Sequence, residues 1–289
     1  MLEMRKVGKI YGKNVIAVDE LTLSLGTGVV GLIGHNGAGK TSLMQMIATL
    51  TRPTSGQILF KGIDIVKQPD AIRRRLGYLP QDFGVYPNLS ALEFLQYFAA
   101  LKGVDDPQRP AQVLELVNLH GQAARQASTF SGGMRRRLGI AQALLNDPDI
   151  LVVDEPTAGL DPEERLRFRH LLSELGMRKL VIVSTHIVSD IEDMAHSLAI
   201  MRSGKLVSYG TPDSFIANAR GQIWSATLVP DEYEALSQRV KVLQAKRGAA
   251  GVAVRIAHPS VPCSTAVAVE PMLEESLMAQ RYAVRELAA

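Results

Sequence analysis

The chain has little that would belong outside a cell or inside a membrane. Its single cysteine, Cys263, excludes an internal disulfide and a metal cluster built on thiolates. Aromatic residues make up only 5% against a hydrophobic total of 46%, which describes an aliphatic core. Charge of one sign is scarce: 32 Lys and Arg against 29 Asp and Glu leave +3. That balance is too mild to make nucleic acid or an anionic membrane the default partner. Long apolar runs are missing too. Ile150 to Val153 is typical of the longest, far short of the roughly 20 residues a bilayer span takes. Met1-Leu2-Glu3-Met4-Arg5-Lys6 lacks the apolar run and cleavage site of a secretory signal. The expectation is a protein of a reducing, cytoplasmic compartment. If it acts at a membrane, another chain must carry the path across.

The 289 residues are enough for one large α/β domain and a small appendage. Leu21 to Leu25 alternates as a strand, and Gly26-Thr27-Gly28 turns it into a second apolar run, Val29 to Ile33. A glycine-rich loop follows, then a helical pattern (Leu43, Met44, Ile47, Leu50). Arg52-Pro53-Thr54-Ser55-Gly56 ends it, and Gln57 to Phe60 resumes as a strand. From about Pro80 to Asn146 the texture is helical, with a capping box predicted at Ser90 and Glu93. Ile150 to Val153 and Leu180 to Val183 read as strands buried on both faces. Asp161-Pro162-Glu163-Glu164 predicts an N-cap, a proline at the first helical position and a reciprocal glutamate. Such alternation predicts a mostly parallel sheet with a helical lobe at about residues 82–146. After the Ala219-Arg220-Gly221 joint, residues 220–289 read as a small α+β domain beside a first domain of residues 1–219. Its strands are expected around Ile223 to Val229 and Val252 to Ile256, and a helix over Pro271 to Tyr282.

Gly34-His35-Asn36-Gly37-Ala38-Gly39-Lys40-Thr41 matches the phosphate-binding pattern G-x-x-x-x-G-K-[ST] between a buried strand and a helix. Glycines let consecutive backbone N–H groups curl around a phosphate, and the following helix adds its positive end. The pattern places Lys40 on the β- and γ-phosphates and the Thr41 hydroxyl on Mg²⁺. Asp154 ends a buried strand, where a carboxylate can hold a metal's water shell; Glu155 beside it can polarise an attacking water. Phosphate loops serve many reactions, and a second segment narrows them. Phe130-Ser131-Gly132-Gly133-Met134 opens another helix with a serine cap and two glycines, a second anion-binding terminus. One nucleotide cannot easily occupy both termini in one chain, whereas two chains packed head to tail could complete each other's sites.

These motifs, in this order, resemble the nucleotide-binding subunit of an ABC transporter over roughly the first 215 residues. The resemblance implies a P-loop NTPase core, with an antiparallel β-subdomain and a helical subdomain, that binds ATP and Mg²⁺. It places Tyr11 on adenine and Gly34, Asn36, Gly37, Ala38, Gly39, Lys40, Thr41 and Ser42 around the phosphates. Gln81 would ligate Mg²⁺ with Thr41 and Asp154 and sense the membrane partner. Glu155 would be the catalytic glutamate and His186 the switch histidine near the γ-phosphate. Ser131, Gly132 and Gly133 would bind the nucleotide held by the other subunit, and Asp161 in Ala158-Gly159-Leu160-Asp161 would cross the dimer. Met134 and Phe130 depart from the usual Gln and Leu of the signature. The texture resembles the export branch with separately encoded membrane subunits. The implied partners are integral-membrane permease subunits and a second ATP-binding subunit, a homodimer being favoured over a heterodimer. The implied place is peripheral, at the inner face of the cell membrane. A soluble, homodimeric regulatory or assembly motor is the alternative. Arg73-Arg74-Arg75 and Arg135-Arg136-Arg137 are expected on solvated helix faces, with Arg137 a candidate exception.

Overall fold

The computed structural model describes residues 1–12, 14–157 and 159–286, with side chains through residue 280. Strands β1 (Leu2–Tyr11), β2 (Val15–Leu25), β4 (Ser55–Phe60) and β5 (Ile63–Asp64) form an antiparallel sheet in the order β2-β1-β4-β5. A second sheet runs β10-β9-β3-β8-β7-β6. Its members are β3 (Gly28–Ile33), β6 (Leu76–Leu79), β7 (Ile150–Asp154), β8 (Leu180–Thr185), β9 (Ser197–Arg202) and β10 (Lys205–Gly210). From β9 to β6 all pairings are parallel. Every residue of β3, β7 and β8 is buried, so these segments do not alternate; they are apolar except at the C-terminal ends of β7 and β8, where Asp154, Ser184 and Thr185 stand. Leu2, Met4 and Leu21 of the antiparallel sheet share one core with Leu32, Ile150 and Ile182 of the parallel one.

Helix α1 (Lys40–Ile47) follows β3, and the short α2 (Pro69–Arg73) precedes β6. The helical lobe comprises α3 (Ala91–Lys102), α4 (Arg109–Leu116) and α5 (Gly132–Leu144). The capping box at the start of α3 forms as expected: Ser90 Oγ accepts from the Glu93 N–H, and the Glu93 carboxylate accepts from the Ser90 N–H. Helix α6 (Pro162–Gly176) begins at the Asp161 cap, but the reciprocal glutamate does not form. Glu164 turns instead to Arg137 at 3.1 Å and Arg167 at 3.6 Å, because two guanidinium groups outbid one backbone N–H.

The Lys102 ammonium is buried between α3 and α5, donating to the Gln142 carbonyl at 2.8 Å and Asn146 Oδ1 at 3.1 Å. Burial pushes its pKa down to about 8. The folded value lies below the unfolded one, so the unfolded chain holds more protons between the two and stability rises with pH across that window. Relative to Lys102→Met, the wild type is expected to gain on the order of 2 kcal/mol between about pH 7.5 and 10. Urea unfolding of both proteins at each pH measures it, and parallel pH profiles would remove the assignment.

The chain divides into two compact units, Met1–Tyr209 and Gly210–Ala289. In the second, α7 (Pro212–Ala219) packs on α9 (Leu273–Glu286), which draws the division ahead of the 219/220 joint that composition suggested. Its sheet has the order β12-β13-β11-β14, from β11 (Ile223–Leu228), β12 (Lys241–Gly248), β13 (Gly251–Ala257) and β14 (Val267–Ala268). Helix α8 (Pro230–Ser237) covers Ala226, Leu228, Val252 and Val254 through Tyr233 and Leu236.

Candidate active site

Because β3, β8, β7 and β6 are adjacent and parallel, the loops after them emerge at one end of the sheet. Those loops carry residues 34–41, His186, Glu155 and Gln81. Positions more than a hundred residues apart therefore become neighbours.

The loop after β3 is shaped by its glycines. Gly37 and Gly39 have φ of +80° and +100°, which side chains other than glycine's rarely tolerate. A Cβ on Gly39 would lie 2.1 Å from the Ala17 carbonyl oxygen of β2, and one on Gly34 2.6 Å from the Met201 carbonyl oxygen. Lys40 opens α1 and donates to the Gly34 and His35 carbonyls at 2.7 and 3.3 Å. Burial lowers its pKa, while the charges of Glu155 and Asp154 oppose the shift. Thr41 is exposed beside it and Ser42 half-buried.

Asp154 and Glu155 are organised by Ser184, which sequence reasoning did not single out. The β7–β8 register sets Asp154 opposite Ser184. The Ser184 hydroxyl donates to Asp154 Oδ1 and accepts from the Glu155 N–H, the latter at 2.9 Å. Glu155 adopts φ +43°, a conformation uncommon outside glycine, which turns its carboxylate out of the strand line. That carboxylate meets His186 Nδ1 at 3.1 Å. Asp154 Oδ2 is buried with no hydrogen-bond partner among the described residues. An orphaned carboxylate oxygen beside a phosphate loop fits a divalent cation, the kind of ligand such an atom lacks.

Gln81 and Asp82 are exposed after β6, and Tyr11 lies 37% exposed at the end of β1 with Lys9 Nζ 4.9 Å from its ring centre. Ser131 caps α5, accepting from the Met134 N–H at 3.2 Å, with Ser131 and Gly132 exposed. Gly133 is buried against Glu164, where a Cβ would meet Glu164 Oε2 at 3.0 Å. Of the loop Ala158-Gly159-Leu160-Asp161, Ala158 lies outside the described residues; Asp161 is exposed at the cap of α6.

One arginine expected in solvent is not there, and Arg137, the candidate exception, is held within the fold as well. Arg136 is buried, bonded to the Pro80 and Glu155 carbonyls, and Arg137 reaches the Val117 and Asn118 carbonyls and Glu164. Helix α5 is enclosed by β6, α3 and α4, so little of its circumference is left for water. Arg73, Arg74 and Arg75 are exposed as expected. A further pair went unseen: buried Asp190, four residues past His186, accepts from Thr157 Oγ1 at 2.6 Å and pairs with Arg165 at 3.5 Å.

A glycine-walled loop at a helix start, a buried lysine within the field of two carboxylates, and a histidine on the second of them define a P-loop nucleoside-triphosphate hydrolase. A family model described as ABC transporter matches residues 18–158. The chain is 38% identical over 226 residues to Nod factor export ATP-binding protein I of Cupriavidus metallidurans, covering 76% of this chain and 74% of that protein. It is 37% identical over 216 residues to the ABC transporter ATP-binding protein NatA of Bacillus subtilis, covering 73% and 88%. A solved dimeric ATP-binding cassette in a post-hydrolysis state, bound to ADP and Pi, superposes with a TM-score of 0.67 at 26% identity, covering 73% and 98%. The chain belongs to the ABC transporter ATP-binding family. It binds ATP and hydrolyses it as the ATP-binding subunit of a transporter.

Proposed function

We propose that two copies of this chain share two ATP sites and drive export through separate membrane subunits. The observation that carries this is the division of the nucleotide-binding features within one chain. The loop at residues 34–41 leads from β3 into α1, while the exposed Ser131-Gly132 terminus opens a different helix, α5. A head-to-tail pair supplies each terminus with the other copy's nucleotide. Among the described residues no helix is long and apolar enough to cross a membrane, and the relatives named above are ATP-binding components of transporters. The export assignment rests on the C. metallidurans relative, whose name specifies export. On this reading the chain sits at the inner face of the membrane, held by its partner. The exposed rings of Tyr86 and Tyr97, packed with Phe83, Phe94 and Phe98 next to Gln81, are the surface for that partner. The second unit is an accessory domain.

In this scheme Tyr11 stacks on the adenine, and Gly34, Asn36, Gly37, Ala38, Gly39 and Ser42 line the phosphate cradle. Lys40 holds the β- and γ-phosphates. Thr41, Gln81 and Asp154 would hold Mg²⁺, which neutralises phosphate charge when bound. Glu155 accepts a proton from the attacking water, and His186, at 3.1 Å, fixes that carboxylate on the γ-phosphate side. Ser131, Gly132 and Gly133 complete the opposite copy's site, and Asp161 crosses between the two.

Complementation tests the sharing. Lys40→Ala and Ser131→Arg are each expected to be inactive alone, since each spoils both sites of its own dimer. Mixed in equal amounts they should recover about a quarter of the wild-type ATPase rate, because half the dimers carry one intact composite site. A mixture as inactive as its components would overturn the shared-site arrangement.

A further inference from the structure

Arg136 is the fifth residue after Ser131 on α5 and is 8% exposed. A buried guanidinium is costly unless its donors and charge are both answered, and here both are. Nη1 donates to the Pro80 carbonyl at 2.8 Å and Nη2 to the Glu155 carbonyl at 2.9 Å. Burial lowers its pKa, while Asp154, Asp82 and Glu155 hold the charge in place. The two carbonyls belong to different loops. One immediately precedes Gln81; the other is the backbone of Glu155, held at φ +43°. The same helix is wedged against the same loop one turn further on, where a Cβ on Gly139 would lie 2.5 Å from Leu79 Cδ1 and 3.1 Å from Phe83.

We infer that Arg136 is a positioning residue: it ties the Gln81 loop and the Glu155 backbone of one chain to the helix whose N-terminus serves the other chain's nucleotide. The inference rests on the assignments of Gln81 and Glu155 proposed above. The planar fork of arginine spans two carbonyls at once, whereas an ammonium is a single point that cannot hold both in the same geometry. A shift of the Gln81 loop, or of α5 as the dimer closes, is thereby delivered to the backbone that aims the Glu155 carboxylate. A buried arginine that only filled space would have no reason to choose the carbonyls of these two loops over the helix ends nearby. Arg109, on α4, does take such a helix end, donating to the Leu144 and Leu145 carbonyls.

The test compares Arg136→Lys and Arg136→Gln with wild type and Gln81→Ala in the full chain. For Arg136→Lys we expect kcat to fall at least tenfold while ATP affinity, measured in a Glu155→Gln background, stays within twofold. The Arg136→Lys/Gln81→Ala double variant should be no slower than the slower single variant. In nucleotide-free protein, hydrogen exchange should quicken in residues 80–84 and 155–157 while the central turns of α5 keep their protection. A wild-type kcat in Arg136→Lys would overturn the inference. So would equal losses of kcat, ATP affinity and melting temperature, which would mark the residue as structural. If Arg136→Gln does not fold, Arg136→Lys decides alone. Undiminished hydrolysis by Glu155→Gln by itself would instead remove the assignment of Glu155 on which the inference stands.

Discussion

Replacing Glu155 by Gln is expected to lower ATP hydrolysis by about 10³-fold while leaving ATP bound, the loss typical of an essential general base. The amide has the shape of the carboxylate and can still bond His186, now as donor or acceptor, so the geometry at 3.1 Å survives. What it cannot do is accept a proton from water. It also removes one of the two charges that counter the burial of Lys40, leaving Asp154 as the remaining anion there. With the hydrolytic exit closed, MgATP should hold the dimer together. Size-exclusion chromatography with light scattering should show the mass of one chain without nucleotide and of two with it. Hydrolysis at the wild-type rate would exclude Glu155 as the base. A persistent monomer with ATP demonstrably bound would mean that these subunits do not close by themselves, and that the membrane partner or the Met134 signature limits closure.

Gly39→Ala is expected to weaken ATP binding at least about 100-fold, the loss of two or more hydrogen bonds to a charged group. Two independent costs converge on that position. Its φ of +100° is strained for alanine, and the added Cβ would sit 2.1 Å from the Ala17 carbonyl of β2, a backbone atom that cannot swing aside. The loop must therefore leave its place, and its N–H groups leave with it. Gly37→Ala provides the contrast. Its φ is +80°, but among the described residues nothing lies within 4 Å of the new methyl, so it bears strain without collision and should lose clearly less affinity. Nucleotide titration of both variants measures the difference, and equal losses would show that conformation alone, without the Ala17 contact, shapes the cradle.

Much of the site was legible because its signals are local. A phosphate loop must follow a buried strand and precede a helix, and residues 29–47 show that order along the chain. Asp154 and Glu155 announced themselves by ending an apolar run, and Ser90 with Glu93 by spacing alone. Where sequence reasoning failed, a distant partner had won. Glu164 has the spacing of a cap glutamate, yet Arg137, on another helix, takes it. Arg136, in a run of three arginines, reads as solvated until the neighbours of α5 enclose it. Ser184 is one more residue of a buried strand until the register places it against Asp154.

The chain by itself thus determined the elements that flank the phosphate loop and which residue types suit phosphate chemistry, since periodicity, glycine spacing and caps act within a few residues of one another. Only the tertiary structure decided which of those residues meet. Strand order and parallel register, set by the crossovers between β3, β6, β7 and β8, bring Gln81, Glu155, His186 and the phosphate loop to one end of the sheet. The same packing leaves Arg136 little solvent to point into, so its charge is spent on two backbone carbonyls from distant parts of the chain.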